Sequence, residues 1–331
     1  GFSLDKLEAA YGIPGPEGEE NMTTLNPTKN TFNFQSSISL NNVYFNKFNL
    51  QGTVSEYNHS ERTGDGNNHN INFFSDLYEI KTSLNHNSII DGNNDGLIGF
   101  HFQNYDQGAL GQEESHLVHT RTSSFALFAL ESFNFDLFDL DVGGRLESVN
   151  LKNTSMEKGF FPGAFSSTIK REFFTNNTAF AGFDFTERAP NAVELFANGP
   201  HHALEQFEVG DSNMNVETSY NFSLGYSYNN GLDNLKIETY YNYINDFVAA
   251  DRDGTTTAVE GEDMNNIFFT QYNALFTGLE VSGQYAFAKI SDFDIISNLM
   301  VDFLKGYRTS NDKALSRIPQ TKMNFGIQAM N

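Results

Sequence analysis

Tyr220-Asn221-Phe222-Ser223-Leu224-Gly225-Tyr226-Ser227-Tyr228-Asn229 decides the fold. Its even positions are Tyr220, Phe222, Leu224, Tyr226 and Tyr228; its odd positions are Asn, Ser and Gly. Successive side chains of a strand point to opposite faces, so this segment has one apolar face and one polar face. The same alternation recurs on both sides of it. Over 137–147, Phe138, Leu140, Val142, Gly144 and Leu146 oppose Asp139, Asp141, Gly143, Arg145 and Glu147. Over 279–287, Leu279, Val281, Gly283, Tyr285 and Phe287 oppose Glu280, Ser282, Gln284 and Ala286. Helical periodicity is weak throughout.

About fourteen such segments are expected, most of them long enough to cross a bilayer at a tilt. They fall near 2–11, 31–41, 43–57, 71–86, 96–105, 123–134, 137–150, 164–173, 178–187, 218–229, 234–248, 267–287, 292–307 and 315–331. The connections alternate in length. Long ones cover 12–30, 58–70, 106–122, 151–163, 188–217 and 249–266, with a shorter one at 308–314 in the same series. Short ones lie at 42, 87–95, 135–136, 174–177, 230–233 and 288–291. An antiparallel meander puts alternate connections at opposite ends. Long loops at one end and tight turns at the other is the pattern of an outer-membrane barrel. The reading is an all-β, transmembrane antiparallel β-barrel whose apolar faces meet outer-membrane lipid. A soluble sandwich or propeller gives no reason for the asymmetry.

Composition fits. Among 331 residues, 42 are acidic and 20 basic, a net charge of −22, which excludes a nucleic-acid partner. Aromatics reach 14%, as 33 Phe and 14 Tyr without Trp, yet mean hydropathy is −0.44. The aromatics are therefore dispersed among polar residues rather than gathered in apolar blocks. Cysteine is absent, which removes disulfides, thiolate metal sites and cysteine nucleophiles. No phosphate loop, dinucleotide fingerprint or nucleophile elbow is present, so an enzyme is not expected. Asp91-Gly92-Asn93-Asn94-Asp95-Gly96 matches half of a calcium loop, but Phe102 stands where the bidentate Glu belongs. It reads as a hairpin turn.

Histidines mark the candidate site. Six of eight (His59, His69, His116, His119, His201 and His202) fall in the long connections, together with many carboxylates. Imidazole plus carboxylate suits zinc, nickel, manganese or ferrous iron, and an acidic mouth concentrates cations. Taken singly, each of these residues also fits a plain polar external loop. The sharpest cluster is His201, His202, Glu205, Glu208 and Asp211. Glu113, Glu114, His116 and His119 form a second. Glu187 and Arg188 are expected to hold the base of the 188–217 loop as a charge pair.

The block from Phe185-Thr186-Glu187-Arg188-Ala189-Pro190 through Glu194-Leu195-Phe196, Asn198-Gly199-Pro200-His201-His202-Ala203 and Phe207-Glu208-Val209-Gly210-Asp211 to Glu217-Thr218 resembles TonB-dependent outer-membrane receptors. Those receptors carry an ERAP…ELF…NGPHHAT…FE(I/V)GDPNL…ET block between two barrel strands. Weaker agreement covers Tyr11-Gly12-Ile13-Pro14-Gly15, Arg121-Thr122-Ser123-Ser124-Phe125 and Arg317-Ile318-Pro319-Gln320.

The resemblance implies a barrel of about 22 strands filled by an N-terminal plug. It also implies active uptake driven by the inner-membrane TonB complex. On that reading residues 1–331 are a portion of the barrel, and no plug or TonB box lies within them. The block is most similar to the zinc-uptake branch, where the paired histidines sit near the metal path; this carries over to His201 and His202. One departure is the acidic Pro16-Glu17-Gly18-Glu19-Glu20 loop, where that branch often has histidines. No cofactor is implied; zinc or another divalent cation would be cargo. A siderophore or other metal-chelate receptor is the alternative within the family. A passive pore, a surface adhesin or a soluble binding module are alternatives of other classes.

Overall fold

The structure, a computed structural model, describes residues 1–12, 24–62, 70–89, 92–111, 115–259 and 261–330. The strands are β1 (Phe2–Glu8), β2 (Tyr11–Gly12), β3 (Thr24–Ser39), β4 (Phe45–Arg62), β5 (Asn70–His86) and β6 (Asn94–Gly111). There follow β7 (Thr120–Asn134), β8 (Asp139–Lys152), β9 (Glu157–Phe160), β10 (Gly163–Phe174) and β11 (Asn177–Arg188). A short helix, α1 (Ala192–Phe196), precedes β12 (Asn198–His201) and β13 (Gln206–Val209). The last strands are β14 (Glu217–Asn230), β15 (Asp233–Val259), β16 (Glu262–Ile290), β17 (Phe293–Arg308) and β18 (Lys322–Met330).

Among the described residues, all eighteen strands belong to one sheet. Fourteen of them (β1, β3 to β8, β10, β11 and β14 to β18) pair antiparallel in chain order as a meander. Two of the remaining four, β2 and β9, are short additions against β3 and β8. The hairpin β12–β13 leaves the wall, and β13 runs parallel to β16.

Burial is inverted relative to a water-soluble sheet. On β14, Phe222 is 53% and Leu224 is 60% exposed, whereas the alternating Asn221 and Ser223 are half-buried. Phe165, Phe183 and Phe222 lie side by side on neighbouring strands of that outward face, with ring centroids 6.5 and 4.9 Å apart. An apolar, aromatic exterior of this kind is stable only against lipid. The inner face is a polar ladder. Asn221 donates to Asp184 (3.0 Å), Ser219 to Asn242 (2.7 Å), and Asn49 to Asn85 (2.9 Å). Deeper on the same face, His101 Nε2 meets Glu79 (2.8 Å), while Arg145 reaches His101 Nδ1 (3.2 Å) and Glu147 (3.0 Å).

Leu224 sits mid-strand on the lipid face. Leu224→Arg should therefore destabilise the barrel by about 2–4 kcal/mol, the cost of a cation at the bilayer midplane. Ser223→Arg, on the lumen face, should cost far less. Urea unfolding in lipid vesicles checks the contrast.

Four expected long loops are cut back by strand: β3 already begins at Thr24, and β6 runs to Gly111 with β7 beginning at Thr120, so the 12–30 and 106–122 connections lose residues at their ends. The 249–266 connection is mostly strand, because β15 and β16 continue to Val259 and Glu262 as a tall hairpin. Its Thr255-Thr256-Thr257 run is polar yet β-branched, so it favours extended pairing without an apolar face. Likewise β4 and β5 run to Arg62 and from Asn70, which places His59 and Glu61 on a strand. The last strand begins at Lys322, later than expected, so the 309–321 connection joins the long series. Gly92 takes φ +84, in keeping with a turn; Asp91 lies outside the described residues.

Candidate metal centre in the mouth

The 189–216 connection carries most of the site, and its base is built first. Asn191 caps α1 by accepting from the Glu194 amide (2.9 Å), while the Glu194 carboxylate accepts from the Asn191 amide (2.7 Å), a reciprocal cap. Arg188 bonds Glu194 (2.9 Å) and Glu217 (3.3 Å), tying the helix start to both strand ends. The expected Glu187–Arg188 pair does not form: neighbours on a strand point to opposite faces, and Glu187 instead accepts from the Gly163 amide (2.8 Å). Ala192, Leu195 and Phe196 bury against Leu151 and Met214, with Val118, Val149, Phe160, Val248 and Phe269 around them. This small core seats the connection on β8, β15, β16 and the β6–β7 loop.

The connection then crosses the mouth as the β12–β13 hairpin. One side pairs β13 with residues 265–268 of β16. The other side meets the β6–β7 loop, where the His116 amide donates to the Pro200 carbonyl (3.0 Å). His201 is thereby stacked on His116, with ring centroids 4.2 Å apart and planes 14° apart. His201 Nδ1 contacts Glu208 Oε1 at 2.8 Å across the hairpin. His116, His201 and Glu208 each offer one ligand atom, and these lie within 4.8 Å of one another. No other such group of three is found among the described residues.

His116 is only 8% exposed, and its Nδ1 has no hydrogen-bond partner. Leaving a buried polar atom unsatisfied costs about 1–3 kcal/mol; a lone pair held there is suited to a cation. Burial and, next, the facing His201 ring push the His116 pKa down. The imidazole is thus kept in the neutral form that metals require. For Glu208, burial acts upward, but the His201 hydrogen bond and the two imidazoles outweigh it and lower the pKa. One buried carboxylate and two imidazoles with ligand atoms within 4.8 Å of one another is a donor set for zinc-like ions.

Both shifts have the same sign for stability. The folded-state value of His116 lies below its ordinary 6.5, so between the two the unfolded chain holds the extra proton and stability falls as pH drops. Glu208 is depressed below 4.5, so its contribution is present above that value and is lost as pH falls through its folded value. Without metal, amide protection over 198–210, taken relative to the intrinsic exchange rate at each pH, should therefore fall on acidification from neutral pH, first below 6.5 through His116 and again below 4.5 through Glu208.

The other expected site residues are placed elsewhere. His202 opens a 3₁₀ turn, and Glu205 closes it in a left-handed conformation, exposed. Asp211 accepts from the Asn213 amide (2.8 Å) and shapes its own turn. His119 Nε2 bonds Asp106 (2.7 Å) and lies edge-on to Phe74 on the outward face, away from the centre. Glu113, Glu114 and His69 lie outside the described residues. His59, a loop histidine by sequence, faces the lumen from β4 and stacks on Phe73 (4.6 Å, 12°), which in turn neighbours His116 (6.1 Å). The i, i+2 spacing of His59 and Glu61, read as strand, is the signal that would have found them.

The fold is shared with solved receptor structures. The copper transporter OprC superposes with a TM-score of 0.73 at 16% identity, over 100% of this chain and 56% of its own. The Serratia marcescens hemophore receptor HasR, in complex with HasA and heme, gives 0.74 at 11% identity over 98% and 58%. The ferric enterobactin receptor PfeA gives 0.70 at 12% over 98% and 52%. The chain thus spans a little over half the length of the receptors it matches. The family model for the TonB dependent receptor-like β-barrel matches residues 6–329. With its lipid-facing meander and its one-sided long connections, the chain belongs to the TonB-dependent receptors and is an outer-membrane β-barrel of that family.

Proposed function

We propose that this barrel serves an energy-coupled importer that takes up a divalent cation, zinc first, at the His116–His201–Glu208 centre. A plug domain filling the lumen and coupling to the TonB complex complete that reading. The observation that carries it is the buried His116, with an unpartnered ring nitrogen, grouped with His201 and Glu208. The cargoes named for the matched structures, copper, heme and ferric enterobactin, are metals or metal chelates, which supports the class.

A bare cation is favoured over a bulky chelate. Arg121, Arg188 and Arg308 at this end are each paired with carboxylates, whereas Arg252 and Arg317 are exposed and, among the described residues, in no ion pair, so the preference for a bare cation rests on the imidazole–carboxylate donor set and not on a lack of cations. The donor set binds Cu(II) more tightly than zinc by the general order of divalent affinities, so zinc delivery rests on availability.

Growth on limiting zinc and on limiting ferric chelate tests the proposal. His116→Ala/His201→Ala should impair the first and spare the second. The reverse pattern, or no effect on either, would overturn it.

A further inference from the structure

His59 and Glu61 stand two residues apart on β4 and so face the lumen together. They lie on the wall, two ring contacts from the mouth centre, through Phe73 to His116. His59 Nε2 and Glu61 Oε1 are 3.6 Å apart, beyond a hydrogen bond. Two ligands of one tetrahedral zinc, each at about 2.0–2.2 Å, lie about 3.3–3.5 Å from each other. The pair is therefore not hydrogen-bonded and stands at about the spacing that two ligands of one ion take. His59 Nδ1 is buried and has no hydrogen-bond partner, so no second bond fixes the ring's tautomer. Side-chain exposures of 21% and 14% leave both groups reachable from the lumen. The stack on Phe73 holds the His59 ring in place.

We infer that His59 and Glu61 form a second station for the same divalent cation, on the barrel wall beside the mouth centre. This rests on the proposed cation uptake. The first centre has three protein donors, one of them on a buried imidazole; the second has two, so it binds more weakly and completes its shell with water. A weaker, wall-mounted neighbour suits hand-over from the mouth into the lumen.

Zinc titration of the full-length receptor in detergent, monitored by calorimetry, tests the inference. Millimolar calcium occupies surface sites made only of oxygen. The parent should bind two equivalents, one tight and one weak. His59→Gln and Glu61→Gln should each lose the weak equivalent and keep the tight one, whose retention reports a folded mouth. A single equivalent in the parent, a weak equivalent that persists in both variants, or loss of the tight equivalent along with the weak one would each overturn it. His116→Ala should remove the tight equivalent. Should it fail to do so while the His59 and Glu61 variants behave as stated, the mouth centre is misassigned and the wall station stands.

Discussion

His116→Ala should weaken zinc binding by more than the roughly 10–100-fold that loss of a group supporting a ligand costs. The residue supplies an imidazole that is neutral, buried and unpartnered at Nδ1. Alanine removes a donor and also the ring on which His201 stacks. His201→Ala should act comparably, and the double variant should cost less than the sum, because the groups share one ion. His202→Ala, Glu205→Gln and Asp211→Asn should each change affinity little, since none joins the three-residue set. Calorimetry or competition with a chromophoric chelator measures all of them. A His202→Ala loss as large as that of His201→Ala would mean that the hairpin rearranges on binding.

Gly199→Ala should damage the centre without touching a ligand. A Cβ there would lie 2.6 Å from the Ser115 carbonyl oxygen, 2.8 Å from its carbon and 3.0 Å from the His116 amide nitrogen. All three are backbone atoms, so the β6–β7 loop itself must retreat. That retreat breaks the His116–Pro200 hydrogen bond and parts the stacked rings. Overpacking of this kind costs about 1–3 kcal/mol, roughly a 5- to 150-fold loss if it falls wholly on docking the two loops. Gly144→Ala is the control, because a Cβ there meets nothing within 4 Å. Equal zinc affinity in the Gly199 and Gly144 variants would show that the hairpin and loop need not touch to bind.

The meander was legible because lipid and lumen impose opposite chemistry on alternate residues. Tyr220–Asn229 shows it without any tertiary information. The ends of β4, β5, β15 and β16 were not legible, because above the membrane both faces meet water and alternation fades. Thr255–Thr257 reads as loop by polarity yet pairs as strand. Of the centre, His201 and Glu208 stood out as one cluster, and their antiparallel positions in a hairpin bring them together. His116 could be ranked only as a weaker partner, since its approach depends on a hairpin that leaves the wall and crosses the mouth. Adjacent His201 and His202 looked equivalent in sequence; the strand-to-turn change between them leaves only His201 grouped with His116 and Glu208.

The most direct measurement is a structure of the full-length receptor grown with zinc, with anomalous data collected on both sides of the zinc absorption edge. An anomalous peak among His116, His201 and Glu208 is the expected result. A peak confined to other carboxylates of the mouth, or no peak under conditions where zinc is taken up, would contradict the assignment of this centre as the entry site for the cargo.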